Sequence, residues 1–152
     1  MKIDKAIQIA YKVRKQCEVF VNSEASKNYD FHKQDDLGCM CAVASFTLAF
    51  TLNKRNIEAK MIRGKFFINN DAHKDEDEDC FGDEHCWVEF RDKIIDITAT
   101  QFDDVPKVYV SNRDSNRYSG EQVVLEPSEL EGWGEEQKPN PEATQKILAI
   151  KV

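Results

Sequence analysis

The sequence predicts one α+β domain, in which helices come first and a mostly antiparallel β-sheet follows. Two segments with helical patterns occupy the first third of the chain, and several short strand-like segments come after them. Helices and strands that are separated along the chain in this way are typical of α+β folds. The 152 residues suffice for one domain with a core of its own. We therefore treat residues 1–152 as a single domain.

Both long helices are indicated by their apolar residues. Between Ile3 and Phe20 these residues recur every three or four positions, with Lys and Gln between them, which predicts an amphipathic helix. From Cys41 to Leu52 apolar residues fall on almost every side, which predicts a buried central helix. The polar segment 21–37 has no period and is predicted to be a loop. Cys41 then lies in the first turn of the central helix.

The strands are predicted from short apolar runs bounded by turn residues. Residues 57–68 indicate a strand with a bulge or a close backbone approach at Gly64. The runs 85–90 and 93–98, joined by a tight connection near Arg91 and Asp92, predict a hairpin. The weaker signals that follow predict strands at 108–110 and 122–125, a Pro-bearing loop at 135–141, and a short helix or strand at 142–152.

The charge balance excludes some classes of partner. The chain has 28 acidic and 21 basic residues and a net charge of −7, so its surface should repel nucleic acid and anionic lipid. The first residues carry spread charges and no later run reaches transmembrane length, so neither a signal peptide nor a membrane span is expected. We expect a soluble, cytoplasmic protein with no nucleic-acid or membrane partner.

A strongly acidic loop precedes the first strand of the hairpin. Residues 69–83 include five consecutive acidic residues at 75–79, which predicts a solvated loop. A calcium site of the EF-hand type is not supported, because Cys80 and Cys86 stand where glycine and the bidentate glutamate are needed. The loop could act as a lid or attract a basic substrate.

The cysteines point to a reducing compartment. The chain has five, an odd number with uneven spacing, and this does not suit a disulfide framework: Cys17, Cys39, Cys41, Cys80 and Cys86. In a reducing compartment a functional cysteine is more often catalytic or metal-binding than structural. A thiol at the N-terminus of a helix gains from the partial positive charge there, and Cys41 meets that condition. The backbone amides at the same helix end could hold an oxyanion.

A base for that thiol is found on the predicted hairpin. Of the three histidines, only His85 lies in an ordered-looking element, and Trp87 and Glu89 share its face of the strand. If the hairpin loop has two or four residues, the numbers of paired residues add up to 183, so Trp87 faces Asp96. Asp96 is then diagonal to His85 and within reach of a hydrogen bond. A three-residue loop would turn Asp96 away.

Three short motifs follow one another along the middle of the chain. They are the turn Asn56-Ile57-Glu58-Ala59-Lys60 with the later Gly64, the segment His85-Cys86-Trp87-Val88-Glu89, and the segment Asp96-Ile97-Thr98. Their order and their spacing from Cys41 resemble the transglutaminase-like superfamily, whose motifs are Gly-Ile-Pro-Ala-Arg, His-x-Trp-Val-Glu and Asp-x-Thr. The resemblance covers residues 37–102. Asn56 replaces the family's glycine, and both residues tolerate the left-handed conformation.

The resemblance implies a papain-like fold, with a central buried helix packed on a mostly antiparallel sheet. It also implies a thiol-dependent hydrolase or acyltransferase, with Cys41 as the nucleophile, His85 as the base and Asp96 as the group that orients the base. The substrate would be an amide, in a peptide or in a glutamine side chain, so a protein or peptide partner is expected, and no cofactor is needed. The choice between hydrolysis, transamidation and acyl transfer is left open.

Three further residues are candidates for contacts with the substrate or the oxyanion. Trp87 would line the site and limit the access of water. Gln34 would bind the oxyanion together with the backbone amide of Cys41. Cys39 could be the nucleophile itself or form a regulatory bond with Cys41, and the first-turn position favours Cys41.

Two alternative interpretations stay open. Each catalytic candidate taken alone fits an ordinary structural role, so the chain could be a non-catalytic binding module on the same fold. It could also be a small zinc-binding protein that uses Cys39, Cys41, Cys80 and His85, although these ligands do not form the usual two close pairs.

Overall fold

In the described parts of the chain, three helices and a five-stranded sheet make up a fold that is α+β, as predicted. The computed structural model of the chain describes residues 2–29, 32–33, 37, 40–67, 80–101, 105–115, 118–125 and 141–152, and the statements below concern these residues. The helices are α1 (Lys2–Val21), α2 (Cys41–Lys54) and α3 (Pro141–Leu148), with short 3-10 turns at Glu24–Ser26 and Ala99–Gln101. The strands are β1 (Lys60–Phe67), β2 (Cys80–Phe90), β3 (Lys93–Asp96), β4 (Tyr109–Asn112) and β5 (Tyr118–Leu125).

The two long helices pack against each other, and α2 packs against the sheet. α1 buries its apolar stripe, which includes Ala10, Val13, Cys17 and Phe20. α2 packs between α1 and strand β2 and is almost wholly buried from Val43 to Ala49. Both predicted helices are thus confirmed. None of the helices in the described parts of the chain is long and apolar enough to cross a membrane.

The exit from α2 matches the expectation for a residue that replaces glycine. Asn56 has a φ of 64°, in the left-handed region that asparagine tolerates better than most residues. Asn53 closes the turn: its side-chain amide donates to the Ala59 carbonyl at 3.0 Å and accepts from the Ala59 amide at 3.2 Å. These bonds direct the chain back into β1.

The sheet has the strand order β4-β3-β2-β1-β5, and every pair of neighbours described is antiparallel. The β2–β3 hairpin pairs Val88 with Ile95 and Phe90 with Lys93, so Arg91 and Asp92 form a two-residue connection. This is the register that the sequence predicts for a loop of even length. The predicted irregularity in β1 is also present, because the pairing with β2 shifts between Gly64 and Phe66.

Several element bounds differ from the prediction. β2 begins at Cys80, so the last four residues of the predicted acidic loop belong to a strand. β3 ends at Asp96 and not at residue 98, because the Asp96 carboxylate accepts the backbone amide of Thr98 at 2.9 Å and turns the chain. β5 starts at Tyr118, earlier than predicted, and the C-terminal segment is a helix.

The two faces of β2 are buried in two separate apolar clusters. Cys86, Val88 and Phe90 face the helices and belong to the main core. Trp87 faces the other way and packs with Ile62, Ile94, Ala99 and Tyr118 in a second cluster. The predicted alternation of β2 is therefore confirmed, and both sides of the strand are shielded from water.

Candidate active site

Cys41 is the first residue of α2 and is partly exposed. The preceding residue, Met40, makes no side-chain capping bond to the helix, so no capping side chain competes for the first-turn amides. The Cys41 sulfur is in hydrogen-bonding contact with the Cys86 thiol and with the Cys86 backbone, and His85 lies close enough to act on its charge. The Cys86 thiol contributes most to lowering the pKa of Cys41, burial opposes it, and His85 adds to the lowering, so the pKa falls to about 5.

His85 is fully buried next to Cys41. It pairs across the sheet with Gly64 of β1, and a glycine there leaves space beside the imidazole. The ring Nε2–H donates to Asp96 Oδ2 at 2.6 Å, which leaves Nδ1, also shielded from solvent, for the side of Cys41. Burial alone would lower the pKa of His85, but the charge and hydrogen bond of Asp96, with those of Cys41, raise it to about 9.

Asp96 is buried at the end of β3 and is held by several donors. Its Oδ2 accepts from His85 and from the Tyr118 hydroxyl, the latter at 2.8 Å. Its Oδ1 accepts from the backbone amide of Thr98 at 2.9 Å and from the Thr98 hydroxyl at 3.4 Å. A carboxylate in a dry site needs such donors to stay charged. The Asp-x-Thr motif therefore has a local physical meaning here.

Tyr118 belongs to this site and was not foreseen from the sequence. It lies on β5 opposite Phe66 of β1, and its ring meets that of Trp87 edge-on, with centroids 4.8 Å apart. The residue carries no local motif. Only the pairing of β5 with β1, between segments far apart in sequence, brings its hydroxyl to Asp96.

Removal of the Tyr118 hydroxyl tests how firmly Asp96 is held. Tyr118→Phe is expected to lower the free energy of unfolding by about 1.5–3 kcal/mol, because a hydrogen bond to a buried charged group is lost. Urea unfolding measures the change. The control is Tyr11→Phe, since Tyr11 is 53% exposed and the loss of its hydroxyl should change stability by less than about 0.5 kcal/mol. Equal effects of the two substitutions would show that the Tyr118 bond adds no net stability.

Arg14 fastens the segment that follows Asp96, and it too was not foreseen. This α1 residue is 3% exposed. Its guanidinium donates to the Ile97 carbonyl at 2.7 Å, to the Thr100 hydroxyl at 2.9 Å and to Glu18 at 3.1 Å. Because Ile97 lies between Asp96 and Thr98, this bond ties the turn around the carboxylate to α1.

The remaining predicted site residues are placed less completely. Trp87 is fully buried, with its ring centroid 6.0 Å from that of His85, so its ring packs beside the imidazole in the protein interior. Its contact with the substrate stays a prediction. Gln34, Cys39 and the acidic residues 75–79 lie outside the described residues. Within the described part of the chain, no group of three or more His, Cys, Asp or Glu side chains could hold a metal ion. The zinc alternative also needs Cys39, so it stays open.

Comparisons with known proteins add no identification. A scan of the chain against models of protein families, a search of curated proteins and a search of solved structures each find no match. The functional interpretation therefore depends on the residues and geometry described above.

Proposed function

We propose that this protein is a thiol-dependent hydrolase or acyltransferase that acts on an amide, with Cys41 as the nucleophile, His85 as the base and Asp96 as the orienting acid. The observation that carries the proposal is the position of the buried His85 ring, which bonds to Asp96 on one side and contacts the Cys41 thiol on the other. The order of these residues on a helix N-terminus and two paired strands supports a fold of the transglutaminase-like, papain-related kind.

The electrostatics favour a thiolate–imidazolium pair as the resting state. The pKa of Cys41 is lowered to about 5 and that of His85 is raised to about 9. At a pH between these two pKa values the thiolate and the imidazolium coexist, and each stabilises the charge of the other. A reactive thiolate is thus present at neutral pH without any proton transfer beforehand.

The reaction would proceed in two acyl-transfer steps. The Cys41 thiolate attacks the amide carbonyl, and backbone amides of the first turn of α2 stabilise the oxyanion. The His85 imidazolium then protonates the leaving amine, and a thioester on Cys41 remains. Water or an amine attacks the thioester, His85 takes its proton, and the thiolate is restored. Asp96 holds the ring in the tautomer that presents Nδ1 to Cys41 in both steps.

The chemistry is proposed for a peptide bond or a glutamine side chain. With a net charge of −7, the protein should bind basic segments of a protein or peptide more readily than acidic ones. Gln34 and Trp87 are proposed to complete the oxyanion and substrate contacts.

The test is the alkylation rate of each cysteine by iodoacetamide as pH is varied, read by mass spectrometry. At about pH 5.5 a thiol of pKa about 5 is mostly ionised, whereas an ordinary thiol of pKa about 8.5 is only about 0.1% ionised. The weaker nucleophilicity of a low-pKa thiolate offsets part of this difference, so Cys41 should react about 20-fold faster than an unperturbed thiol. Cys17 serves as an internal control, because burial raises its pKa to about 12 and it should not react.

Two histidine variants test whether the fast alkylation of Cys41 depends on His85. In His85→Ala, Cys41 should lose part of its advantage at low pH, since the imidazolium no longer stabilises the thiolate while the Cys86 thiol still does. The control is His32→Ala, which removes a histidine that bonds to Ser26 at 2.6 Å and contacts no cysteine among the contacts described. An inert Cys41 in folded protein would contradict the proposal and favour a binding module. Stoichiometric zinc in the purified protein would favour the zinc alternative.

A further inference from the structure

Cys86 brings a second sulfur atom to the site. It follows His85 on β2, and its side chain lies on the face of the sheet that packs against α2. Ser45, one helical turn after Cys41, donates its hydroxyl to the Cys86 carbonyl at 3.0 Å. This bond holds Cys86 beside the start of α2, and the thiols of Cys41 and Cys86 are accordingly in hydrogen-bonding contact.

The two thiols differ in access and in reactivity. Cys41 is partly exposed, whereas Cys86 is 2% exposed. A small oxidant from solution therefore reaches Cys41 first. Thiolates that are accessible and have a low pKa are the cysteines that hydroperoxides oxidise to sulfenic acid.

We propose that Cys86 is the resolving thiol of an oxidative modification site, and that it forms a reversible disulfide with Cys41 after a hydroperoxide has oxidised Cys41. This inference rests on the proposed function, because it takes Cys41 to be the activated thiol. The disulfide would withdraw the nucleophile reversibly and protect it from irreversible oxidation.

The chemistry is balanced in two steps. In the first step the Cys41 sulfur attacks the hydroperoxide, a sulfur–oxygen bond forms, the oxygen–oxygen bond breaks, and the leaving oxygen takes a proton from the His85 imidazolium. In the second step the Cys86 sulfur attacks the Cys41 sulfur, a sulfur–sulfur bond forms, and the sulfenic hydroxyl leaves as water with the proton that Cys86 loses. One hydroperoxide is reduced by two electrons, which the two sulfurs supply.

The surroundings of Cys86 suit this order of events. In the resting state, the hydrogen bond that Cys86 donates to Cys41, burial and the thiolate charge of Cys41 raise the pKa of the Cys86 thiol, which stays protonated. Oxidation of Cys41 removes that negative charge. Arg63, which pairs with Cys86 across β1 and β2, stays in place, and its positive charge lowers the pKa of Cys86. Cys86 thus becomes a better nucleophile once its partner has been oxidised.

The test is made in a Cys39→Ser/Cys80→Ser background, because each of these residues shares a tryptic peptide with one member of the proposed pair. In that background, a cross-link between the tryptic peptides 34–54 and 75–91 can only be the proposed disulfide. The remaining cysteine outside the pair, Cys17, is buried and should stay unmodified throughout.

One equivalent of hydrogen peroxide should lower the protein mass by about 2 Da, produce the cross-linked peptides and abolish Cys41 alkylation, and dithiothreitol should restore it. The matched variant is Cys86→Ser, which keeps a hydrogen-bond donor beside Cys41 but cannot form the disulfide. In this variant two equivalents of peroxide should raise the mass by about 32 Da, one oxygen atom from each equivalent, as Cys41 becomes sulfinic acid, and dithiothreitol should not reverse the change.

The outcomes separate the two proposals. If Cys41 alkylates rapidly but peroxide produces sulfinic acid without a cross-link, as in Cys86→Ser, the disulfide is refuted and the proposed function stands. If Cys41 of the folded protein neither alkylates nor oxidises, the proposed function fails, and the disulfide proposal fails with it.

Discussion

Replacement of Asp96 by asparagine is expected to reduce turnover of an amide substrate by about 10⁴-fold, a loss of the size known for triads whose acid becomes an amide. The reason is electrostatic. Burial lowers the pKa of His85, and the charge and hydrogen bond of Asp96 outweigh this effect. Without that charge, the buried imidazole should be neutral at neutral pH, and Cys41 loses the cation that stabilises its thiolate.

The change can be measured before a substrate is known. Alkylation of Cys41 in Asp96→Asn at about pH 5.5 should fall about tenfold, because the thiolate fraction drops more than the nucleophilicity of each thiolate rises. The control is Asp92→Asn, since Asp92 is exposed in the hairpin connection and its charge should not affect the site. Circular dichroism establishes that both variants are folded. Full Cys41 reactivity in folded Asp96→Asn would refute the role assigned to Asp96.

The hairpin shows why part of the site could be predicted from the sequence. A two-residue connection at Arg91 and Asp92 sets the register of β2 against β3, and the strict alternation of a strand then determines which side chains share a face. His85 and Asp96 were therefore placed correctly from local information alone. The apolar run that begins at Cys41 likewise predicted a buried helix, and the structure confirms it.

Tyr118 shows the limit of local information. Its strand pairs with β1 across an irregular register, which shifts between Arg63 and Lys65, so no local periodicity indicates that its hydroxyl reaches Asp96. Register shifts of this kind depend on how two segments that are distant in sequence pack against each other. A sequence pattern of period two cannot contain that information.

The contact of Cys86 with Cys41 was not predicted from the sequence, for a related reason. Cys86 lies on the face of β2 opposite His85, and the alternation of the strand does not indicate that it meets Cys41. The N-terminus of α2 lies beside this part of β2, so Cys41 contacts both neighbours although their side chains point to different faces. The packing of helix on strand, and not the strand itself, determines this contact.

Arg14 offers the test with the largest expected effect on stability. In the sequence of this amphipathic helix, Arg14 and Glu18 have the spacing of an ordinary surface ion pair, and such a pair contributes little to stability. In the structure Arg14 is 3% exposed and also bonds to Ile97 and Thr100. Arg14→Met is expected to lower the free energy of unfolding by about 3 kcal/mol, because buried acceptors lose their donor.

Thermal unfolding measures this change, and a loss of that size corresponds to a fall of roughly 10 °C in Tm for a chain of this length. The matched control is Lys12→Met on the same helix, where the side chain is exposed and the effect should be below about 0.5 kcal/mol. Because Arg14 holds Ile97, next to Asp96, the folded Arg14→Met protein should also alkylate more slowly at Cys41 at low pH. A stable variant with unchanged reactivity would mean that the turn holds Asp96 without help from α1, and that Thr98 and Tyr118 alone keep the carboxylate in place.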